Sequence, residues 1–510
     1  MHFRLKKLTW PFLLAGAANA VTAAAAAIPP MDSDTQAWWR ATGDLSGDAM
    51  EGRDTGSPGH ARAVAYVEKH FKSAGLKPAG TGGTFLQAVP LHEVRVEKTG
   101  TTITLLRPNG TLTELNFLHD ITVRPTAELP LTFEAPMSFR GYCAAADMDA
   151  TVKGKIAVCF GSRRYGLPTG TERLDAAVAA GAVGLINVDD RGFTIEPPHW
   201  PEAYARAVTP RGTQPPSAAA MPVLRLNADA FASLIKESGQ SADDILTDGA
   251  ASRPLPHFDL PARLRATFVL ATSDYSSDNV LALLPGTDRT LDSEVIVISA
   301  HLDGYGIGEP VAGDAIYNGT FDDAAYVATL MRLAEHQKGH GFRRPVLFAV
   351  LTGEEKGLLG SRWFTQHPTI PAAKLAADIN LDGVRPLFPL KILTALSLSE
   401  STLGQAARNV GNEMGIEIRA DREPERNMRE RTDHWPFLQA RIPAICFLFG
   451  FDPGTDSERT YREWYRSRYH KPQDDLAQPF DGNAARDFNQ FFYRLLGAVA
   501  DGAARPSLSK

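Results

Sequence analysis

Five short stretches of this chain carry acids or histidines, three of them where a buried strand would end. One is Thr352-Gly353-Glu354-Glu355-Lys356-Gly357, directly after the apolar run 346–351. Acidic pairs are common on any solvated surface. This pair follows continuous hydrophobicity and precedes a glycine, so the chain turns where the carboxylates emerge. The carboxyl ends of strands in an α/β sheet are where catalytic groups gather. Ala300-His301-Leu302-Asp303-Gly304 follows a second apolar run. In such an H-x-D the imidazole can ligate a metal while the carboxylate takes its other ring N–H and fixes the tautomer. Asn318-Gly319-Thr320-Phe321-Asp322-Asp323 opens a helical pattern, and Asn380-Leu381-Asp382-Gly383 ends a third apolar run. Tyr469-His470-Lys471-Pro472 follows an aromatic and charged stretch.

Taken singly, each stretch has a structural explanation: a buried histidine with a partner, or carboxylates complementing a helix dipole. Their recurrence at one strand end after another has none. His301, Asp322, Glu355, Asp382 and His470 supply two imidazoles and three carboxylates, a set suited to two zinc ions bridged by one carboxylate. Two dications against three carboxylates leave one positive charge for a hydroxide to neutralise. Glu354, beside a ligand without being one, is then placed to take a proton from water and return it to a leaving amine.

Elements with defined spacing must carry these groups. Beyond residue 262, apolar runs predict strands at 263–270, 279–284, 294–299, 346–351, 377–381 and 445–449. Helical patterns fall at 322–336, after Gly357, at 401–414 and at 483–500. Such alternation predicts an α/β fold with a mostly parallel central sheet flanked by helices. Upstream, Ser57-Pro58 caps a helix with Val64, Val67, Phe71 and Ala74 on one face and Gly75 as its stop. The segment 101–123 is strand-rich. Between 129 and 258 the character changes to a compact β–α–β pattern: a strand at 154–160, a helix at 174–180 and a strand at 181–188. A loop rich in Pro and small residues, 209–222, adjoins it.

At 510 residues the chain exceeds one ordinary core and predicts two domains. Hydrophobic content of 44% with 22% charged residues is that of a soluble globular protein. A net charge of −6 argues against nucleic-acid binding and offers no basic face to anionic membranes. Arg4-Leu5-Lys6-Lys7, an apolar stretch over 8–20 and Ala25-Ala26-Ala27 read as a signal peptide, 1–27, with export to the periplasm or medium. An uncleaved anchor over 8–28 is the alternative, and its alanine-rich second half speaks for cleavage. No stable membrane insertion is expected afterwards. Of the three cysteines, Cys143 and Cys159 fall in one region where export would permit pairing, and Cys446 lies in an apolar run as a buried thiol.

Four motifs together resemble peptidase family M28: Ser299-Ala300-His301-Leu302-Asp303, Gly313-Asp314-Ala315-Ile316-Tyr317-Asn318-Gly319, Thr352-Gly353-Glu354-Glu355-Lys356-Gly357-Leu358-Leu359-Gly360-Ser361 and Tyr469-His470-Lys471-Pro472. The resemblance is to its co-catalytic zinc aminopeptidases, of the aminopeptidase Y and bacterial leucyl aminopeptidase type, with an inserted small β-rich protease-associated domain. It implies a zinc exopeptidase fold and an exported metallo-exopeptidase acting on peptides with a free N-terminus. The cofactors implied are two Zn2+ ions, in sites that other divalent metals can also occupy. By position, His301, Asp322 and Asp382 would hold one ion, and Asp322, Glu355 and His470 the other. Asp303 would orient His301, and Glu354 would be the general base. The implied organisation is a signal peptide at 1–27 and an N-terminal part of the catalytic domain at 28–128. The protease-associated domain follows at 129–258, the catalytic domain at 259–502 and a flexible tail at 503–510. By the same resemblance Asp433 and His434 lie near the substrate. The family's Asn-Ala-Ser-Gly after the bridging acid is here Asp323-Ala324-Ala325-Tyr326, so Tyr326 is expected to alter the space beside the metals.

A metallo-carboxypeptidase or dipeptidase on the same site is the enzymatic alternative, with Arg422, Arg426, Arg429 and Arg431 receiving a terminal carboxylate. Those arginines alternate with Asp421, Glu423, Glu425 and Glu430, which favours a self-paired surface instead. A non-enzymatic binding module would not need all five ligands and the base. His336 and His340 share a zinc-like spacing but lack the intervening glutamate, and neither a G-x-S-x-G elbow nor a phosphate loop occurs.

Overall fold

The structure is a computed structural model that describes residues 31–162, 164–191, 202–213 and 221–509. The expected signal peptide lies outside the described residues. At the centre of the fold, the strand Val295–His301 pairs in parallel with Val346–Leu351 on one side and Leu375–Leu381 on the other. Ala444–Phe449 joins Leu375–Leu381, also in parallel. Every residue of these four strands is buried. Their near-continuous apolar sequences are what a parallel sheet covered on both faces requires. Ile392–Leu396 adds antiparallel to Ala444–Phe449, and Glu417–Ala420 ends that edge.

The helices Ser33–Ser46, Pro58–Ser73, Ala325–His336 and Gly482–Ala500 cover one face through Trp38, Phe71, Leu330 and Phe491. Leu359–Gln366 and His434–Gln439 cover the other through Phe364 and Phe437. The helix expected after Ser57-Pro58 forms as read: the Ser57 hydroxyl accepts from the His60 amide, and Gly75 turns the chain at a φ of +84°. The helix expected from 322 begins at Ala325, because Asp322 and Asp323 leave helical backbone angles in the turn Thr320–Ala324.

A second core grows from the same sheet. The runs at 263–270 and 279–284, expected as two strands, are parts of one 28-residue strand, His257–Leu284. Its polar middle stays extended because it pairs antiparallel with Leu86–Leu106, Ser273 opposite Glu93 and Ser277 opposite Val89. One end of this strand pairs with Val346–Leu351 and the other with Thr132–Arg140. From there Ile156–Phe160, Gly184–Val188 and Val223–Leu226 follow in parallel. Phe139, Val158, Ile186, Leu224 and Phe231 fill this core. Cys143 and Cys159 form a disulfide beside it, and Cys446 is a buried free thiol. Residues 503–509, expected as a flexible tail, are hydrogen-bonded to the body: Ser507 accepts from the Thr402 amide, and the Ser509 amide donates to Glu400. Among the described residues no helix is long and apolar enough to cross a membrane.

Candidate metal centre

The parallel strands deliver their chemistry at one edge. His301 is the last residue of Val295–His301, and Asp382 directly follows Leu375–Leu381. Glu354 and Glu355 lie three and four residues past Val346–Leu351, where Gly353 takes a φ of +68° to turn the chain. Asp322 arrives on the irregular turn before Ala325–His336, and His470 on the loop after the helix Asp456–Ser467.

These side chains meet. Asp322 faces both histidines, with Oδ1 3.4 Å from His301 Nε2 and Oδ2 3.5 Å from His470 Nε2. His470 Nε2 is also 3.6 Å from Glu355 Oε2. Three groups of ligand atoms converge within 4.8 Å: Asp322 with Glu355 and His470, His301 with Glu354 and Glu355, and His301 with Asp323 and Asp382. The last group contains Asp323 where the sequence pointed to Asp322. Asp323 Oδ2 accepts from the His301 amide, so Asp323 braces the strand end, while only Asp322 of the two reaches both imidazoles. His301 Nε2, Asp322 Oδ2 and Glu355 Oε1 are buried without a hydrogen-bond partner among the described residues. Buried polar atoms are ordinarily satisfied. A donor set of imidazole and carboxylate atoms left open in this way fits a divalent cation of the zinc type.

Asp303 supports the arrangement from behind. Its Oδ1 accepts from the Glu354 amide at 3.0 Å and its Oδ2 from the Thr55 hydroxyl at 2.9 Å, which fixes the turn bearing both glutamates. Its carboxylate is 3.8 Å from His301 Nδ1, and its backbone carbonyl lies closer to that nitrogen, at 3.1 Å. The histidine is therefore oriented mainly by the Asp303 carbonyl.

Electrostatics divide the carboxylates. Burial would raise the Asp322 carboxyl, but Arg385, His301 and His470 outweigh it and hold it well below the usual carboxylate range. Burial pushes Glu354 well above that range, with Asp382 and Glu355 adding to the effect. Glu355 rises to about 7 through burial and the Asp322 charge, against the pull of His470. A fixed anion thus sits beside a glutamate able to carry a proton near neutrality, the pairing that acid–base chemistry needs.

Three further predicted residues lie outside the cavity that opens from this centre. Asp433 is buried and accepts from the Ser361 hydroxyl at 2.5 Å. Both ring nitrogens of His434 are taken, Nε2 by Ser397 and Nδ1 by Thr432. Tyr326 points into the core, its hydroxyl on the Val384 carbonyl and its ring edge-on to Phe488. Tyr326 is thus buried behind the centre and does not line the cavity. His336 pairs with Asp34 at the surface, away from the centre.

Other residues enter that were not singled out from the sequence. Tyr305 donates to Glu355 Oε2 at 2.5 Å and stands 3.3 Å from His470 Nε2. Arg385, fully buried, lies 3.4 Å from Asp322 Oδ1 and over the Trp464 ring. Asp474 accepts from the Phe321 and Asp322 amides. Tyr204 stacks on Tyr305 and reaches His470 Nδ1 at 3.0 Å. Tyr305, Arg385 and Asp474 each follow a motif residue within four positions, a signal that was readable. Tyr204 is 266 residues from His470 and had no local signal.

Comparison with known proteins agrees with this geometry. Residues 279–496 match Peptidase family M28. The fold is similar to an aminopeptidase from Aneurinibacillus sp. strain AM-1, with a TM-score of 0.59 at 17% identity over 93% of this chain and 95% of that one. It is likewise similar to BSAP, a zinc aminopeptidase from Bacillus subtilis, with a TM-score of 0.60 at 17% identity over 92% and 96%. A vacuolar membrane protease of Candida glabrata is 32% identical over 110 residues, a match spanning 22% of this chain and only 10% of that protein's length. The strand-end constellation falls inside the region, residues 279–496, that is similar to Peptidase family M28.

Proposed function

We propose that the protein is an exported, zinc-dependent aminopeptidase that removes N-terminal residues from peptides with two metal ions. The observation that carries this reading is Asp322, whose two oxygens each face a different histidine, as a carboxylate bridging two cations would. His301, Asp322 and Asp382 would hold one ion, and Asp322, Glu355 and His470 the other. When bound, such ions supply Lewis acidity, lowering the pKa of a water and polarising a carbonyl.

The chain's own residues account for the rest. Glu354, raised by burial, takes the water's proton at its carboxylate and delivers it to the nitrogen of the departing amine. Asp303 fixes the turn that aims Glu354. Tyr305 and Tyr204 hold Glu355 and His470 in place. The Cys143–Cys159 disulfide supports an oxidising compartment.

Chelation should abolish hydrolysis of aminoacyl anilides and zinc should restore it, with metal content followed by elemental analysis. Peptides with an acetylated N-terminus should resist cleavage. Full activity in metal-free protein, or equal cleavage of acetylated peptides, would sink the reading.

A further inference from the structure

Tyr305 touches two of the predicted ligands at once. Its hydroxyl donates to Glu355 Oε2 at 2.5 Å and lies 3.3 Å from His470 Nε2, and those two atoms are 3.6 Å apart. The three distances put the hydroxyl on the side of Oε2 that faces His470. The other oxygen of the same carboxylate, Oε1, is buried without a hydrogen-bond partner among the described residues. Asp322 Oδ2, which faces His470 at 3.5 Å, is open in the same way. Glu355 therefore presents two unlike oxygens to the centre, one capped by a phenol and one left open.

Packing fixes the phenol where it stands. Its ring stacks on Tyr204, with centroids 5.5 Å apart and planes 25° apart, and tilts against the His470 ring at 4.3 Å. Lys356 Nζ lies 5.4 Å from its centroid. The backbone on both sides is pressed against Asp54. Gly304 bridges to it, and a Cβ on Gly306 would come 2.7 Å from the Asp54 Cβ. A side chain already ordered by packing holds its hydrogen bond at little further cost in entropy. Hydrogen bonds to an ionised carboxylate are also shorter and stronger than neutral ones. A catalytic zinc keeps three protein ligands and one open position. Asp322, Glu355 and His470 are three ligands only if Glu355 binds through one oxygen; through both, its carboxylate would fill the fourth position.

We infer that Tyr305 sets how Glu355 binds its cation: the hydrogen bond reserves Oε2, offers Oε1 alone, and so keeps a position open toward the cavity of about 530 Å3 that Tyr305 itself lines. This rests on the two-metal aminopeptidase reading. It gives Tyr305 a part distinct from that of Tyr204, whose hydroxyl orients His470. Tyr305 is a positioning residue, acting on the substrate through Glu355.

The test compares the full protein with Tyr305→Phe, which removes one oxygen and keeps the ring with its stacking. Both are stripped of metal and loaded with cobalt(II), whose visible absorption weakens as its coordination number rises. Without the phenol Glu355 should bind through both oxygens, and the absorptivity per cobalt should fall by about half. Zinc affinity, read by competition with a chromophoric chelator, should stay within about threefold or tighten, because a ligand oxygen is gained. Leucine p-nitroanilide cleavage should fall by about tenfold or more in kcat/KM. A residue that only supported the fold would show the opposite pattern, with zinc binding weakened and the cobalt spectrum unmoved. Unchanged cobalt absorption in Tyr305→Phe, or zinc binding weakened by about tenfold, overturns the assignment. So does a phenolate-to-metal band in the copper-loaded protein that vanishes in the variant, because Tyr305 would then itself be a ligand. Zinc-edge X-ray absorption on the unmodified protein reads the same point without a variant, and a chelating carboxylate at both ions would overturn it. In each of these cases anilide cleavage by the unmodified zinc protein leaves the aminopeptidase reading standing. Protein that takes up neither cobalt nor zinc sinks both.

Discussion

Adjacent glutamates with the same side chain receive opposite assignments at this centre. Glu355 converges on Asp322 and His470, whereas Glu354 is raised by burial beside them. Glu354→Gln should therefore retain zinc and lose several orders of magnitude of turnover, read by metal analysis beside steady-state kinetics. Glu355→Gln should instead lose zinc at one position. If both variants bind two equivalents of zinc, the division is wrong. Tyr204 makes a separate claim. Its hydroxyl at His470 Nδ1 leaves Nε2 to face Asp322 and Glu355. Partners that orient a ligating histidine affect metal affinity by about 10–100-fold. Tyr204→Phe should weaken zinc binding by about tenfold in competition with a chromophoric chelator, and unchanged affinity would reduce Tyr204 to a packing residue.

Between elements, a buried cation ties the loop after His301 to the turn that carries Asp322. Arg53, fully inaccessible, donates to the carbonyls of Leu302, Leu45, Asn318 and Gly319 over 2.7–3.0 Å. It joins the loop after His301 to the turn that carries Asp322 and to the end of the first helix. Arg53→Met would strand several buried carbonyls, each costing about 1–3 kcal/mol. A loss of about 3–5 kcal/mol in denaturant unfolding is expected, with weaker zinc binding because Asp322 is no longer held. A loss below about 1 kcal/mol would show that the loops are fixed by other contacts. Much of this scale was legible from the chain. The strands bearing His301, Glu354 and Asp382 are apolar runs next to their chemistry, so pattern and site coincide in sequence. The long strand His257–Leu284 was not, because its polar middle has strand character only through pairing with Leu86–Leu106.

Over the whole molecule, stability should depend on pH through neutral histidines sealed in the fold. His434 is lowered to about 3 by burial, with Arg429 adding to the effect, and His60 to about 4 by burial. An unfolded histidine titrates near 6.5. Below that value the unfolded chain binds a proton that the folded chain refuses. Stability from His434 is thus complete above about pH 6.5 and is lost as pH falls toward 3, at up to about 1.4 kcal/mol per unit. Between pH 7 and 5 the unmodified protein should lose about 2 kcal/mol more than His434→Gln in urea unfolding. The difference of the two profiles isolates this residue from the buried carboxylates that titrate in the same range. Parallel profiles would refute the assignment.

The sequence by itself determined the α/β class, the order of the strand-end motifs and the gathering of His301, Asp322, Glu355, Asp382 and His470. It could do so because a parallel sheet forces each apolar run to release its next residues at one edge. Only the tertiary structure decided what surrounds them. Tyr204 packs against the second core, and Arg385 becomes a partner of Asp322 only when the sheet sets their loops side by side. Tyr326, which follows Asp322 closely along the chain, turns into the interior, and His434 does the same. Proximity in sequence reports which strand end a residue leaves; the direction of its side chain depends on packing against other elements of the fold.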